Sequence, residues 1–273
     1  MQLSSVLVLV ADETYLPYAK SVFVNAKRQG QWKGDYCLIA PPSVDKDEFE
    51  SRGIHVLVDN EDRHYRKFAI FDEYFAKWEI VVYMDCDVLI QKPLEPLLHE
   101  CGWGEILADR ELFTLEHAFT FWALEEELQR PERVASFEWL WENYDKQFRQ
   151  FNTGFMVYHP RTAIPDARKK LAEMREKIEP INCHVQNGTD QPVFNLVFYG
   201  QFAKVQRDLV CYWRNAWDNT IIIHTCSGYA PWIDKPHPDQ DAFLCDLLNR
   251  PMHDIYKENL DAFNIDFPKK VTQ

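Results

Sequence analysis

Short apolar runs alternate with longer amphipathic stretches in the first third of the chain, and this alternation restricts the folds open to it. The runs that predict strands are Leu3–Val10, Tyr36–Ala40, Ile54–Val58 and Ile80–Met84. Between them, Thr14–Gln29 and Tyr65–Trp78 have helical periodicity. Strands that alternate with helices predict an α/β fold with a mostly parallel sheet wrapped by helices.

The rest of the chain continues this mixture without a linker that would mark a domain boundary. The predicted elements are a helical region from Leu115 to Phe151, a strand over 154–158, a charged surface helix over Thr162–Glu179, a buried helix over Val193–Phe198 and a short strand over Thr220–His224. We therefore predict one domain over residues 1–250. Residues 251–273 are predicted to form a C-terminal helix and a loose tail.

The charge balance excludes several classes of partner. The 273 residues carry 43 acidic and 30 basic side chains, which gives a formal net charge of −13. Such a surface repels the phosphate backbone of nucleic acids and anionic lipid headgroups. A small anionic ligand would therefore need a local cation or a metal ion.

Cysteine usage and hydropathy predict a cytoplasmic protein. No apolar run reaches the roughly 20 residues that a transmembrane helix needs, and the N-terminus has no signal-peptide pattern. The seven cysteines contain no CxxC pair, which favours reduced thiols over a disulfide framework.

Two aspartates directly follow the apolar run Ile80–Met84, in the order Asp85-Cys86-Asp87. If the strand geometry continues, both carboxylates point to the same side at the carboxyl end of a parallel strand, where open α/β sheets bind ligands. Carboxylates this close predict a divalent cation between them. The alternative, from the tripeptide alone, is that Asp85 caps a turn and Asp87 is solvated.

His224 is the candidate for a third metal ligand because it ends another short apolar run, Ile221–Ile223. The alternative is a hydrogen-bonded histidine at a strand end. A site of two carboxylates and one imidazole favours Mn²⁺, with Mg²⁺ as the second choice. Its open positions would bind two oxygens of a diphosphate, and the ion would offset the charge of the leaving group.

Four blocks of the sequence, in their order, resemble glycosyltransferase family 8. They are Ala11–Tyr15, Arg66–Phe68 with the segment leading to Asp87, Phe151–Val157 (similar to FNSGxxV) and Asp190–Asn195 (similar to DQDxxN), followed by His224 and Pro231-Trp232. The resemblance implies the GT-A fold and a retaining enzyme. Such an enzyme would move a hexose from a UDP-sugar, with glucose or galactose favoured, to a carbohydrate or glycoconjugate acceptor.

The resemblance also implies roles for single residues. Asp85, Asp87 and His224 would bind the metal, and Asp190 and Gln191 would lie beside the anomeric carbon as the catalytic residues. Contacts with the donor would come from Ala11, Asp12, Tyr15, Lys67, Asp85, Cys86, Asn152, Gly154, Gly228 and Trp232.

Some of these residues have simpler explanations, which stay open at the level of sequence. Asn152 offers a donor and an acceptor to a sugar, or it caps a turn. Gly154 permits close approach of a ligand to the backbone, or it begins a strand tightly. Asp190 acts in catalysis, or it N-caps the helix that follows.

The sequence departs from the family pattern HxxGxxKPW, where Ala230 occupies the position of the lysine that contacts the donor phosphate. This departure favours the alternative of a catalytically weak or inactive nucleotide-sugar-binding protein with the same fold. A nucleotidyltransferase is less consistent with the sequence because the segment Leu9–Glu13 has no glycine for a phosphate loop.

Overall fold

The computed structural model describes residues 4–62, 65–120, 130–162, 166–182, 190–205, 209–225 and 238–270. The strands are β1 (Ser5–Val10), β2 (Asp35–Ala40), β3 (His55–Val58), β4 (Ile80–Met84), β5 (Val88–Ile90), β6 (Ile106–Thr114), β7 (Arg149–Tyr158), β8 (Phe202–Lys204), β9 (Val210–Tyr212) and β10 (Ile222–His224). The α-helices are α1 (Leu16–Arg28), α2 (Lys46–Glu50), α3 (Glu95–His99), α4 (Leu115–Thr120), α5 (Pro131–Asn143), α6 (Ala167–Asn182), α7 (Asp190–Val197), α8 (Pro238–Leu248) and α9 (Met252–Asp266).

A seven-stranded main sheet has the order β3-β2-β1-β4-β7-β6-β8. β7 runs antiparallel to both of its neighbours, and the other strands share one direction. The predicted α/β architecture with a mostly parallel sheet is confirmed. A smaller sheet of three strands, β5-β10-β9, continues from the end of β4.

The main sheet is covered on both faces. Leu7 and Leu9 of β1 belong to a core with α1 and α9, whereas Val6 and Val8 face a second core with α6 and α7. This alternation follows from the two-residue period of a strand. Every residue of β4 is buried, as expected for a strand in a sheet that helices cover on both faces.

The segment Tyr65–Trp78 does not form the single helix that its aromatic spacing predicts. It folds as two 3₁₀ helices, Arg66–Phe71 and Glu73–Lys77. Asp72 separates them because its backbone is extended and its carboxylate accepts a hydrogen bond from the Tyr74 N–H. An aspartate that caps a new turn competes with continuation of the helix before it.

The predicted helical region from Leu115 to Phe151 is correct only in part. It contains α4 and α5, but β7 already begins at Arg149, so Phe151 lies in a strand. Pairing of β7 with β6 and β4 fixes this boundary, and such long-range pairing leaves no local signal in the sequence. The charged helix predicted from Thr162 begins at Ala167.

Helix α9 packs along α1, and contacts with the rest of the protein fix its C-terminal end. Arg28 forms an ion pair with Asp266, with 2.5 Å between Nε and Oδ2, and the Lys270 N–H donates to the carbonyl of Ser51. Phe263 and Phe267 are buried in the core beside α1. A domain boundary after residue 250 stays a prediction. None of the helices in the described residues is long and apolar enough to cross a membrane.

Asn25 joins α1 to β5. Its side-chain amide donates to the Ile90 carbonyl at 3.0 Å and accepts from the Ile90 N–H at 2.7 Å, and Asn25 is 2% exposed. We expect Asn25→Ala to lower the free energy of unfolding by about 2–4 kcal/mol, since two buried backbone groups lose their partner. Urea denaturation measures this loss. The control is Asn143→Ala, whose exposed amide donates only to its own helix, and its effect should stay within about 0.5 kcal/mol.

Candidate active site

Asp85 and Asp87 lie where the chain leaves the main sheet for the small one. The Asp85 N–H donates to the Gly154 carbonyl at 2.8 Å, which continues the pairing of β4 with β7. The Asp87 carbonyl accepts hydrogen bonds from the N–H and the hydroxyl of Thr225, at 2.9 and 2.6 Å. The turn between the two aspartates is therefore fixed on both sides by sheet hydrogen bonds.

The structure brings Asp85, Asp87 and His224 together, as the sequence predicts. One ligand atom from each lies within 4.8 Å of the others, and His224 Nε2 is 3.3 Å from Asp87 Oδ1. The ring of Tyr212 stacks on His224 with 5.4 Å between centroids. Two carboxylates and an imidazole suit a divalent cation such as Mn²⁺, and the three residues fit that role.

Burial and neighbouring charges shift the pKa values of all three side chains in this cluster. Burial alone would raise the pKa of Asp87, but His224 outweighs burial and holds that pKa below its usual value. Burial alone would lower the pKa of His224, but Asp87 raises it above its usual value. For Asp85, burial raises the pKa further than Lys67 lowers it.

Lys67 lies between two carboxylates. Its Nζ atom is 3.0 Å from Asp85 Oδ1 and 2.8 Å from Asp190 Oδ2. Burial alone would lower the pKa of Lys67, but Asp190 and Asp85 together raise it. Asp190 also accepts a hydrogen bond from the Thr153 hydroxyl at 3.0 Å and is the first residue of α7.

Gln191 and Asn152 belong to a buried hydrogen-bond network. The Asn152 amide donates to Gln191 Oε1 at 3.2 Å and to the hydroxyl of Tyr212 at 2.6 Å. Gln191 Oε1 also accepts from the Thr153 N–H, at 3.2 Å. Glu111, 3% exposed, accepts from Tyr212, Asn152 and Gln191.

Gly154 is required by a neighbouring side chain of the protein. It lies inside β7, and a Cβ atom there would be 2.5 Å from His224 Cε1 and 2.8 Å from Asn152 Oδ1. Cβ atoms in proteins essentially never lie this close to another heavy atom. A glycine at this position therefore lets the His224 ring lie against the backbone of β7. The interpretation of Gly154 as a tight strand start is wrong, because β7 begins five residues earlier.

The loop after β1 lies at the same edge of the sheet. The Ala11 N–H donates to the Ile39 carbonyl, and Asp12 Oδ1 accepts from the N–H groups of Thr14 and Tyr15 at 3.0 and 3.2 Å. Cys86 is buried, and burial raises the pKa of its thiol well above the usual value, so the thiol stays protonated. Gly228, Ala230 and Trp232 lie outside the described residues.

A match to a protein-family model identifies the class of protein to which this site belongs. The model described as Glycosyl transferase family 8 matches residues 60–235, well over half of the chain. The chain belongs to glycosyl transferase family 8. The match begins just after β3 and includes Asp85, Asp87, Asp190 and His224. No curated protein matches the chain.

Solved structures confirm the GT-A fold of this family 8 glycosyltransferase. The galactosyltransferase LgtC, solved in complex with donor and acceptor sugar analogues, is similar with a TM-score of 0.64 and 17% identity over 94% of this chain and 95% of that one. The glycosyltransferase GlyE of Streptococcus pneumoniae TIGR4 has a TM-score of 0.59 and 15% identity over 99% of this chain and 66% of that one. The bifunctional WbbM has a TM-score of 0.57 and 15% identity over 94% and 52%.

Several residues of the family 8 site are not found by motif reasoning. Glu111 and Tyr212 become part of it only when β6 pairs with β7 and β9 pairs with β10. Tyr83, buried in β4, donates a hydrogen bond to Asp85. A polar group at an inward position of a buried strand is the one signal that marks Tyr83 in advance.

The metal affinity of this family 8 enzyme is expected to rise with pH. A metal needs the unprotonated imidazole, and the pKa of His224 is raised above its usual 6.5. Below that raised pKa, each unit fall in pH should weaken Mn²⁺ binding by about tenfold, because a proton must first leave the ring. Titrations with Mn²⁺ between about pH 6 and about pH 8 measure this slope. The slope should persist in the exposed control His253→Gln, and its loss there would contradict the assignment to His224.

Proposed function

We propose that this family 8 glycosyltransferase moves a hexose from a UDP-sugar to a hydroxyl of a carbohydrate or glycoconjugate, with retention of configuration and with Mn²⁺ as cofactor. One observation carries the proposal. Asp85, Asp87 and His224 converge at the carboxyl end of β4, next to the ion pair of Lys67 and Asp190. That edge is where open α/β sheets bind ligands.

The residues around the cluster suit the charge changes of glycosyl transfer. The ion, when bound, supplies Lewis-acid stabilisation for the departing diphosphate. The reacting sugar develops positive charge, as in glycoside hydrolysis. Asp190, which forms an ion pair with Lys67, offers a carboxylate at a fixed position for that state. The amides of Asn152 and Gln191 offer donors and acceptors for sugar hydroxyls.

One further observation supports the choice of substrate. The similar LgtC structure contains donor and acceptor sugar analogues. We extend this to a UDP-sugar and a carbohydrate acceptor for the present enzyme. The cytoplasm is the proposed location, since Cys37, Cys86, Cys101, Cys211 and Cys245 are free.

A donor panel tests the proposed function. UDP-glucose and UDP-galactose are incubated with the enzyme and Mn²⁺, with and without carbohydrate acceptors, and released UDP is measured. We expect Mn²⁺-dependent UDP release that an acceptor accelerates. Undiminished UDP release in the presence of a metal chelator would contradict the proposal. Failure of the enzyme to bind or cleave either UDP-sugar would contradict it as well.

Ala230 favours a second candidate, a nucleotide-sugar-binding protein of weak or no activity. The lysine that Ala230 replaces would supply a charge-assisted hydrogen bond of about 1.5–3 kcal/mol to the donor phosphate. Tight binding of UDP-sugar and Mn²⁺ without UDP release would favour this candidate. Recovery of turnover in Ala230→Lys would then identify the missing contact as the cause.

A further inference from the structure

Lys67 already has its charge engaged within the protein. Its ammonium contacts Asp85, Asp190 and both oxygens of Thr153, the latter at 3.4 and 3.5 Å, and it lies 5.3 Å from the centroid of the Tyr83 ring. The side chain is 12% exposed. A lysine placed in this way has little freedom to reach a ligand unless one of these contacts is released.

One of the two carboxylates that Lys67 neutralises is also a candidate metal ligand. Asp85 Oδ1 accepts hydrogen bonds from both Lys67 and Tyr83. A divalent cation at Asp85 would therefore lie a few ångströms from an ammonium group. Like charges at that separation repel strongly where water is largely excluded.

A diphosphate changes this balance. In the free protein, Lys67 already pairs with Asp85 and Asp190, and His224 faces Asp87. A dication would therefore add its charge to side chains that already have cationic partners. The phosphates of a nucleotide add negative charge that attracts both the ammonium and the ion. The two cations then cease to compete for one carboxylate, because each gains a further anionic partner.

We propose that Lys67 is a built-in competitor for the metal, so that a divalent cation binds the free protein weakly and binds tightly only together with a nucleotide diphosphate. This inference rests on the proposed function for the nature of the nucleotide. Lys67 acts here as a positioning residue through its charge on Asp85. By linkage, metal and nucleotide must strengthen each other's binding by the same factor.

The competitor role predicts effects of opposite sign on the two ligands. Removing the charge in Lys67→Met should tighten Mn²⁺ binding without nucleotide by about tenfold or more. The same variant should bind UDP without metal more weakly. A purely structural role for Lys67 would instead weaken both ligands together, because loss of local packing spares neither.

The test measures the Mn²⁺ dissociation constant by electron paramagnetic resonance of the free ion, with and without UDP, and with correction for the complex of Mn²⁺ with UDP. Lys67→Arg keeps the positive charge and should keep the weak affinity for Mn²⁺ alone. Lys169→Met removes an exposed lysine and should change neither constant. Unchanged or weaker Mn²⁺ affinity in folded Lys67→Met would overturn the proposal.

Melting temperatures with and without Mn²⁺ test the same role if Lys67→Met folds poorly. Loss of the ammonium leaves buried carboxylates without a counter-ion, so the melting temperature of Lys67→Met should fall, and Mn²⁺ alone should raise it more than in the wild type. Lys67→Gln, which keeps hydrogen-bond donors, gives a second neutral variant for the same comparison. A smaller Mn²⁺ shift in both neutral variants than in the wild type would refute the competitor role.

Failure of this inference can be separated from failure of the proposed function. If UDP does not tighten Mn²⁺ binding in the wild type, the proposed function is wrong and the competitor role fails with it. If UDP does so but neutral variants bind Mn²⁺ alone no better, only the role of Lys67 is wrong.

Discussion

Replacing Asp87 by alanine is expected to abolish the stabilisation of the protein by UDP and Mn²⁺. Wild-type protein should gain about 2.7 kcal/mol at ligand concentrations of 100 times the dissociation constant, and the variant should gain nothing. The reason is that Asp87 faces His224 at 3.3 Å in the candidate metal cluster. UDP release from a donor should fall by about 100-fold or more, because electrostatic stabilisation of the leaving group is lost.

The fold should survive this change. The hydrogen bonds from Thr225 go to the backbone carbonyl of Asp87, which alanine retains. Asp261→Ala, on the exposed side of α9, removes the same charge far from the site and should leave the thermal shift intact. An Asp87→Ala protein that still gains stability from UDP and Mn²⁺ would remove Asp87 from the metal site.

Gly154→Ala is expected to cost metal binding through displacement of His224. The new methyl group would lie 2.5 Å from His224 Cε1, and pairing of β7 with β4 and β6 holds the backbone of β7 in place, so the ring must move. Overpacking of this kind costs about 1–3 kcal/mol of stability. We expect the Mn²⁺ affinity to fall by about 100-fold while the protein stays folded, since loss of one imidazole removes one of three protein ligands.

Gly102→Ala is the matched control for this effect. A Cβ atom there meets only the carboxylate end of Glu105, at 3.0 Å, and a flexible side chain can turn away. Mn²⁺ titrations of both variants, with near-ultraviolet circular dichroism as a check on packing, compare them directly. Wild-type Mn²⁺ affinity in Gly154→Ala would show that the His224 ring is not a ligand.

The candidate metal cluster was predictable in part, because its two aspartates have a local signal. Asp85 and Asp87 directly follow an apolar strand, which predicts their place at a ligand-binding edge, and His224 follows another apolar run. His224 reaches the aspartates because β10 pairs with β5, a contact that the sequence does not reveal. The sequence predicted a mostly parallel sheet but not the order of its strands. The reversed direction of β7 comes from long-range pairing, which no short stretch of sequence encodes.

The partners of the site residues were harder to predict than the residues themselves. Lys67 was assigned to the donor through the family resemblance, and its two ion pairs depend on the three-dimensional approach of Asp85 and Asp190. Glu111 is a charged residue in an irregular strand, which by itself predicts exposure. Glu111 is buried because it accepts hydrogen bonds from Tyr212 and Gln191, and the three residues lie on elements that are distant in the chain.

The packing of α9 on α1 has a consequence for biosynthesis. Arg28 and Asp266 are 238 positions apart, and Phe263 and Phe267 complete the core under the first strand. In a chain emerging from a ribosome, that apolar surface of α1 stays uncovered until α9 has left the ribosome. Contacts of such separation slow folding and lengthen exposure to aggregation. Nascent chains halted before residue 252 should therefore bind chaperones, whereas chains released after residue 270 should not.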